Sequence, residues 1–221
     1  MNPTAPMTDY GDLATWLEAR SGFIGASESP AICGVGYANQ SPYTIWLAKT
    51  GQETAEIDGE LLECGKVLQP AILELASRRL EAEVWPPGEF TVYRQDERPH
   101  VGATLDGMVI DMDNVKAAVE AKNVSGFLKA DWEADEPPLR VNVQLHQQMY
   151  CAGLERGYAV GLLGGNRVEV KRVNRDEEFL AALLPKLDAF WELVQSNTPP
   201  PVDGSEATSE ALKRPRCGTC H

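Results

Sequence analysis

Hydrophobic positions along the chain recur at two spacings, and the switch between them sketches the architecture. A three-to-four-residue spacing predicts a helix over residues 9–20, capped by Thr8 or Asp9, with Leu13, Trp16, Leu17 and Arg20 on one stripe. The stretch SGFIGASESPAICG follows, in which Ser27 is placed to cap a short helix ending at Cys33. Ser41-Pro42 and Thr50-Gly51 are start and stop signals around another short helix. Leu61, Leu62, Gly65, Leu68, Ile72, Leu75 and Ala76 carry a longer helical pattern across 59–81. Pro70 should kink it, because the proline ring clashes with the preceding turn.

The rhythm then shortens. Val84 to Arg94 reads as strand, broken at Pro86-Pro87-Gly88. Residues 102–122 read as a β-hairpin: an apolar run from Leu105 to Ile110, the polar turn Asp111-Met112-Asp113-Asn114, and a second strand to Lys122. Ser125 to Trp132 has a helical pattern ended by Pro137-Pro138, and 139–152 forms a helix stopped by Gly153. That helix bears an unusual polar cluster, Gln144, His146, Gln147 and Gln148. Strands over 157–163 and 166–173 meet at the turn signal Gly164-Gly165-Asn166. Asp176 caps a long amphipathic helix whose core side runs from Phe179 through Leu183, Leu187 and Trp191 to Val194. From Asn197 prolines, small residues and charges dominate, so 197–221 is expected to be a disordered tail behind a single domain over 1–196. The order of elements predicts an α/β fold, a central mixed sheet flanked by helices.

Composition narrows the function classes. With 221 residues, 43% hydrophobic and 24% charged, the chain supports one sizeable core. No apolar run reaches membrane-spanning length, and the opening MNPTAPMTDYGD has no basic-then-apolar signal, so a cytoplasmic protein is expected. Five cysteines at irregular spacing suit reduced thiols. Cys217-Gly-Thr-Cys220-His221 mimics a haem attachment motif, but no export signal accompanies it. The formal net charge of −13 argues against non-specific binding along a nucleic acid. It leaves room for an enzyme that confines positive charge to a channel and negative charge to a metal site.

The hairpin offers such a site. Strand side chains alternate, so Glu120 and Lys122 point the same way and Ala121 the other; Asp106 on the opposing strand can reach their face. Two carboxylates and an amine suit metal-assisted hydrolysis: oxygen ligands hold Mg²⁺, the ion polarises a phosphoryl oxygen, and the lysine orients or deprotonates a water. A solvated sheet face would show the same residues. Likewise the stretch after Arg20 reads as a phosphate seat or as an ordinary loop and cap.

Six stretches in order decide between these readings: RSGFIGASE (Arg20 to Glu28), SPYTIWLAKTG (Ser41 to Gly51), GKVLQP (Gly65 to Pro70), GATLDG (Gly102 to Gly107), EAKN (Glu120 to Asn123) and QLHQQMY (Gln144 to Tyr150). Together they resemble the lambda-exonuclease-like, or YqaJ-type, phage exonucleases of the PD-(D/E)XK superfamily, over roughly residues 12 to 195. The resemblance implies a restriction-endonuclease-like core and a Mg²⁺-dependent exonuclease, with Mn²⁺ as a substitute. Such an enzyme digests one strand of duplex DNA from its 5′ end, works as a toroidal homotrimer, and passes single strands to an annealing recombinase. It implies that Asp106 and Glu120 bind the metal with the Ala121 carbonyl, that Lys122 positions the water, and that Gln144 steadies the scissile phosphate or the water. Arg20 falls on the family's 5′-phosphate anchor and Ser27 on a hydroxyl of that pocket. Two positions depart from the pattern: Gln69 stands where a glutamate helps hold the metal shell through water, and Val141 where the lambda enzyme has a tyrosine. Two rivals remain: a PD-(D/E)XK endonuclease or single-strand nuclease, and a DNA-end-binding protein that cleaves poorly because of Gln69. An iron–sulfur cluster of the RecB type lacks its full cysteine set.

Overall fold

The computed structural model describes residues 7–52 and 59–213. Along the chain lie β1 (Met7–Asp9), α1 (Leu13–Arg20), β2 (Ile24–Gly25), α2 (Ser29–Ile32), α3 (Pro42–Lys49), α4 (Gly59–Leu80), β3 (Val84–Trp85), β4 (Thr91–Arg94), β5 (Val101–Ala103), β6 (Gly107–Ile110) and β7 (Lys116–Val124). A 3₁₀ segment (Gly126–Trp132), α5 (Leu139–Ala152), β8 (Arg156–Leu163), β9 (Arg167–Asn174), α6 (Glu177–Gln195) and α7 (Glu206–Lys213) follow.

The longest strand decides the layout. In β7 the run Ala117 to Glu120 is buried residue after residue, which requires cover on both faces. Ala117 and Val119 pack with Ile72, Leu73 and Ala76 of α4, while Ala118 packs with Leu145 and Met149 of α5. Glu120 and Lys122 continue the Ala118 face, so they meet α5. The strand belongs to a five-stranded sheet of order β3-β6-β7-β8-β9. Within it β7 and β8 are parallel, and the other pairs antiparallel. A parallel pair needs a crossover, which the 3₁₀ segment and α5 supply. Close approach of α5 rests on Gly157, where a Cβ would stand 2.8 Å from the Leu145 side chain. A second sheet, β1-β4-β5-β2, carries β2 parallel to β5 and so holds the 20–25 loop beside the first sheet.

The mixed α/β architecture with flanking helices is as the sequence predicts, though divided into two sheets. Several local expectations need correction. Residues 7–9 are strand paired to β4, and α1 begins later, with the Asp12 carboxylate accepting from Thr15 N–H in place of a Thr8 or Asp9 cap. Glu28 rather than Ser27 precedes the four-residue α2, and Ser27 stays exposed. The 84–94 stretch divides between the two sheets. Helix α4 runs on past Pro70, with Ile72, Leu73 and Ala76 beyond it anchored on the sheet. The tail also differs: α7 forms because Ala207 and Thr208 are small enough to bury against α3, where Thr208 Oγ1 donates to Ser41 Oγ at 2.8 Å. Cys217, Cys220 and His221 lie outside the described residues. No helix among the described residues is long and apolar enough to cross a membrane.

Candidate active site

The antiparallel register pairs Gly107 with Val119, which brings Asp106 opposite Glu120 just before β6 begins. Beyond that point the edge of β7 has lost its partner strand, and the Ala121 N–H donates to Asp106 Oδ2 at 2.8 Å instead. From α4, Gln69 Nε2 donates to Asp106 Oδ1 at 3.1 Å. On the α5 face, Glu120 is 2% exposed and held at both oxygens. Gln144 Nε2 donates to Oε1 at 2.7 Å and Gln148 Nε2 to Oε2 at 2.6 Å, the two amides standing one helical turn apart. Lys122 Nζ lies 2.6 Å from Glu120 Oε1 and donates to Gln144 Oε1 at 2.9 Å.

Burial, and next to it the Glu120 charge, push the Asp106 carboxyl up to about 8. Burial works against the Lys122 ammonium, but Glu120 and Asp106 outweigh it and hold its pKa above the ordinary lysine value. Lys122 is therefore held as a cation by its two carboxylate neighbours.

This donor set fits a divalent cation. Two carboxylates are pressed together in a buried place with lone pairs to spare, and a positive ion relieves the repulsion that raises Asp106. The set is lean: no group of three or more His, Cys, Asp or Glu side chains clusters among the described residues, and the third corner is the neutral amide of Gln69.

A cavity of about 670 Å³ opens over these groups, and Arg20, Ser27, Gln69, Asp106, Glu120, Ala121, Lys122, Val141, Gln144 and Gln148 all line it. The sequence-predicted residues thus meet in one place. Arg20, in the last turn of α1, lies over the Trp16 ring, with Cζ 5.0 Å from the centroid, while its Nη2 reaches Glu28 Oε1 at 3.2 Å. Glu28 Oε2 accepts from Gly25 N–H at 2.6 Å and pairs with Lys49 Nζ at 2.8 Å. Lys49 is nearly enclosed and also donates to the carbonyls of Arg20 and Phe23, at 2.7 and 2.6 Å. The sequence marked Gln148 only as part of a polar cluster and gave Glu28 and Lys49 no role. The signal for Gln148 was its i+4 spacing from Gln144, and Glu28 and Lys49 each stood inside a matching stretch.

The chain shares its fold with solved exonuclease structures. Its structure matches LHK-Exo, an alkaline exonuclease from Laribacter hongkongensis, with a TM-score of 0.67 at 19% identity over 84% of this chain and 94% of that one. A phage-related exonuclease from Haemophilus somnus 129PT matches at 0.61 with 10% identity over 79% of this chain and 94% of that one. At such identities the likeness is one of fold. The chain itself belongs to the YqaJ-like viral recombinase domain family, which matches residues 15–155. It is also 29% identical over 203 residues to the uncharacterized protein YqaJ of Bacillus subtilis (strain 168). That match covers 90% of this chain and 62% of YqaJ, so the chain spans less than two thirds of that relative.

Proposed function

We propose that the protein is a Mg²⁺-dependent 5′→3′ exonuclease on double-stranded DNA. It leaves 3′ single-stranded overhangs for a single-strand annealing recombinase during phage-type recombination in the bacterial cytoplasm. One observation carries the reading: the carboxylate–lysine centre and the Arg20 pocket share a single cavity, so a terminal phosphate and a scissile bond can be held together. Asp106 and Glu120 would hold the ion with the Ala121 carbonyl, Gln69 standing beside Asp106. A bound Mg²⁺, or the similarly oxygen-loving Mn²⁺, supplies Lewis-acid polarisation of a phosphoryl oxygen.

The chain's own groups do the rest. Lys122 presents its ammonium to the cavity and orients a water, and Gln144 ties it to Glu120 so that both keep one geometry. The Arg20 fork grips two oxygens of a 5′-phosphate, and the Ser27 hydroxyl is free to join it. The net charge of −13 is compatible with this task if three copies close into a ring. The strand is then held by enclosure rather than by a basic surface.

Cleavage assays on linear duplexes with 5′-phosphorylated or 5′-hydroxyl ends test the reading. Faster loss of the 5′-phosphorylated strand from its end, by an assembly with the mass of three chains, is expected. Cuts in circular DNA would instead indicate an endonuclease. The Gln69 amide favours one further alternative, end binding without turnover, which would appear as retained end affinity with no Mg²⁺-dependent product.

A further inference from the structure

Helix α5 carries three amides within five residues, and neighbours among them do different work. Gln147 is a staple between strands. Its Nε2 donates to the carbonyls of Ile24 and Gly102, each at 2.9 Å, and its Oε1 accepts from the Ser29 hydroxyl. None of these partners is a site carboxylate. Gln148 is turned elsewhere: its Nε2 donates to Glu120 Oε2 at 2.6 Å and to the Thr104 carbonyl at 3.1 Å. Both partners can only accept, so the amide nitrogen must face them. Its Oε1 is left buried with no hydrogen-bond partner in the wall of the cavity. A buried carbonyl oxygen is costly to leave unpaired.

The lone pairs of Glu120 give this arrangement its meaning. Oε1 is taken twice, by Gln144 and Lys122, whereas Oε2 is taken once, by Gln148. A carboxylate has about four acceptor positions, so Oε2 keeps one open. Rotation about the last torsion of a free glutamate is soft, and an amide on each oxygen removes that freedom.

Building on the metal-dependent reading above, we propose that Gln148 is a positioning residue. It fixes the plane of Glu120 so that Oε2 is the oxygen offered to a divalent cation, and its own Oε1 accepts a hydrogen bond from a water in the cavity. Partners that orient a ligand in this way typically change metal affinity by about 10- to 100-fold when removed.

The test is a Mn²⁺ titration of the protein without DNA, free Mn²⁺ being read by electron paramagnetic resonance. Gln148→Met keeps an unbranched chain of similar length and removes the donor, and Gln148→Asn retracts the amide as a second, polar variant. Both should bind Mn²⁺ at least about 10-fold more weakly than the wild type. Gln147→Met is the control for a merely structural amide: it should lower the melting temperature and leave Mn²⁺ affinity unchanged. Wild-type affinity in the Gln148 variants would overturn the positioning role and leave the nuclease reading standing. A wild-type protein that binds no Mn²⁺ would overturn both.

Discussion

Gln69 donates a hydrogen bond to Asp106 across 3.1 Å, an amide leaning on a carboxylate where the resemblance calls for a second carboxylate. The neutral donor keeps the metal-free site tolerable: a carboxylate here would add to the repulsion from Glu120 that already raises Asp106, and two unit charges ~4 Å apart interact by about 4 kcal/mol at an effective dielectric of ~20. Gln69→Glu should therefore act in opposite directions on two measurements. Calorimetry without metal should show a lower melting temperature, and a Mg²⁺ titration should show tighter binding, by roughly tenfold or more. A variant with an unchanged Mg²⁺ isotherm would mean that position 69 stands outside the metal shell.

Lys122 is charged and held by Glu120 and Gln144. Lys122→Ala should cut cleavage by at least about 100-fold, the usual size of losing one preorganised charge donor. Duplex binding and Mn²⁺ binding should persist. Cleavage at the wild-type rate would place the chemistry away from the hairpin.

Arg20 should govern the choice of end more than the grip on duplex. Charge-assisted hydrogen bonds of this kind are worth roughly 1.5–3 kcal/mol. In Arg20→Ala the preference for 5′-phosphorylated over 5′-hydroxyl ends should fall by about 10- to 100-fold, while affinity for internal duplex changes little. Competition binding with the two kinds of end measures both quantities, and an intact preference would remove Arg20 from the phosphate pocket.

Stability should fall on mild acidification through His146. The ring is buried against Phe179, with centroids 4.2 Å apart, and Nδ1 lies 2.9 Å from the Asn142 carbonyl, so the neutral ring carries its proton there. Nε2 is then a buried acceptor without a partner, and burial holds the pKa below the ordinary histidine value. A histidine depressed in the folded state binds more protons unfolded. Its contribution is full above the unfolded pKa of ~6.5 and is lost as pH drops from there toward the folded value. Urea midpoints at pH 7.5 and 5.5 should differ more in the wild type than in His146→Phe. An equal difference in both proteins would assign the acid sensitivity to other groups.

How much of this was legible beforehand depended on distance along the chain. Asp106 and Glu120 lie in one hairpin, so the turn and the two-residue alternation were enough to set them face to face. Gln144 came from resemblance, because nothing in the strand pattern says which turn of α5 covers Glu120. The contact from Gln148 spans 28 residues and the Glu28–Lys49 pair 21, and each needed the packing of whole elements. Elements without a periodic signal were misread: β1 has only Met7 to Asp9, and α7 buries Ala207 and Thr208, which carry little hydrophobic weight. The split into two sheets was equally invisible, since residues 84–94 show where strands occur but not which partners they take.

Helix α3 is pinned at both ends, and that makes it a beam. At one end Thr208 of α7 bonds the capping Ser41; at the other Lys49 grips the carbonyls of Arg20 and Phe23. Load placed on the last described helix is therefore delivered to the loop that aims Arg20, by way of a rod too short to flex. Helix α7, remote in sequence from Asp106 and Glu120, thus connects through α3 to the backbone that carries Arg20. Shortening the protein at Asn197 would leave the Asp106–Glu120 pair whole and remove the outer anchor of α3.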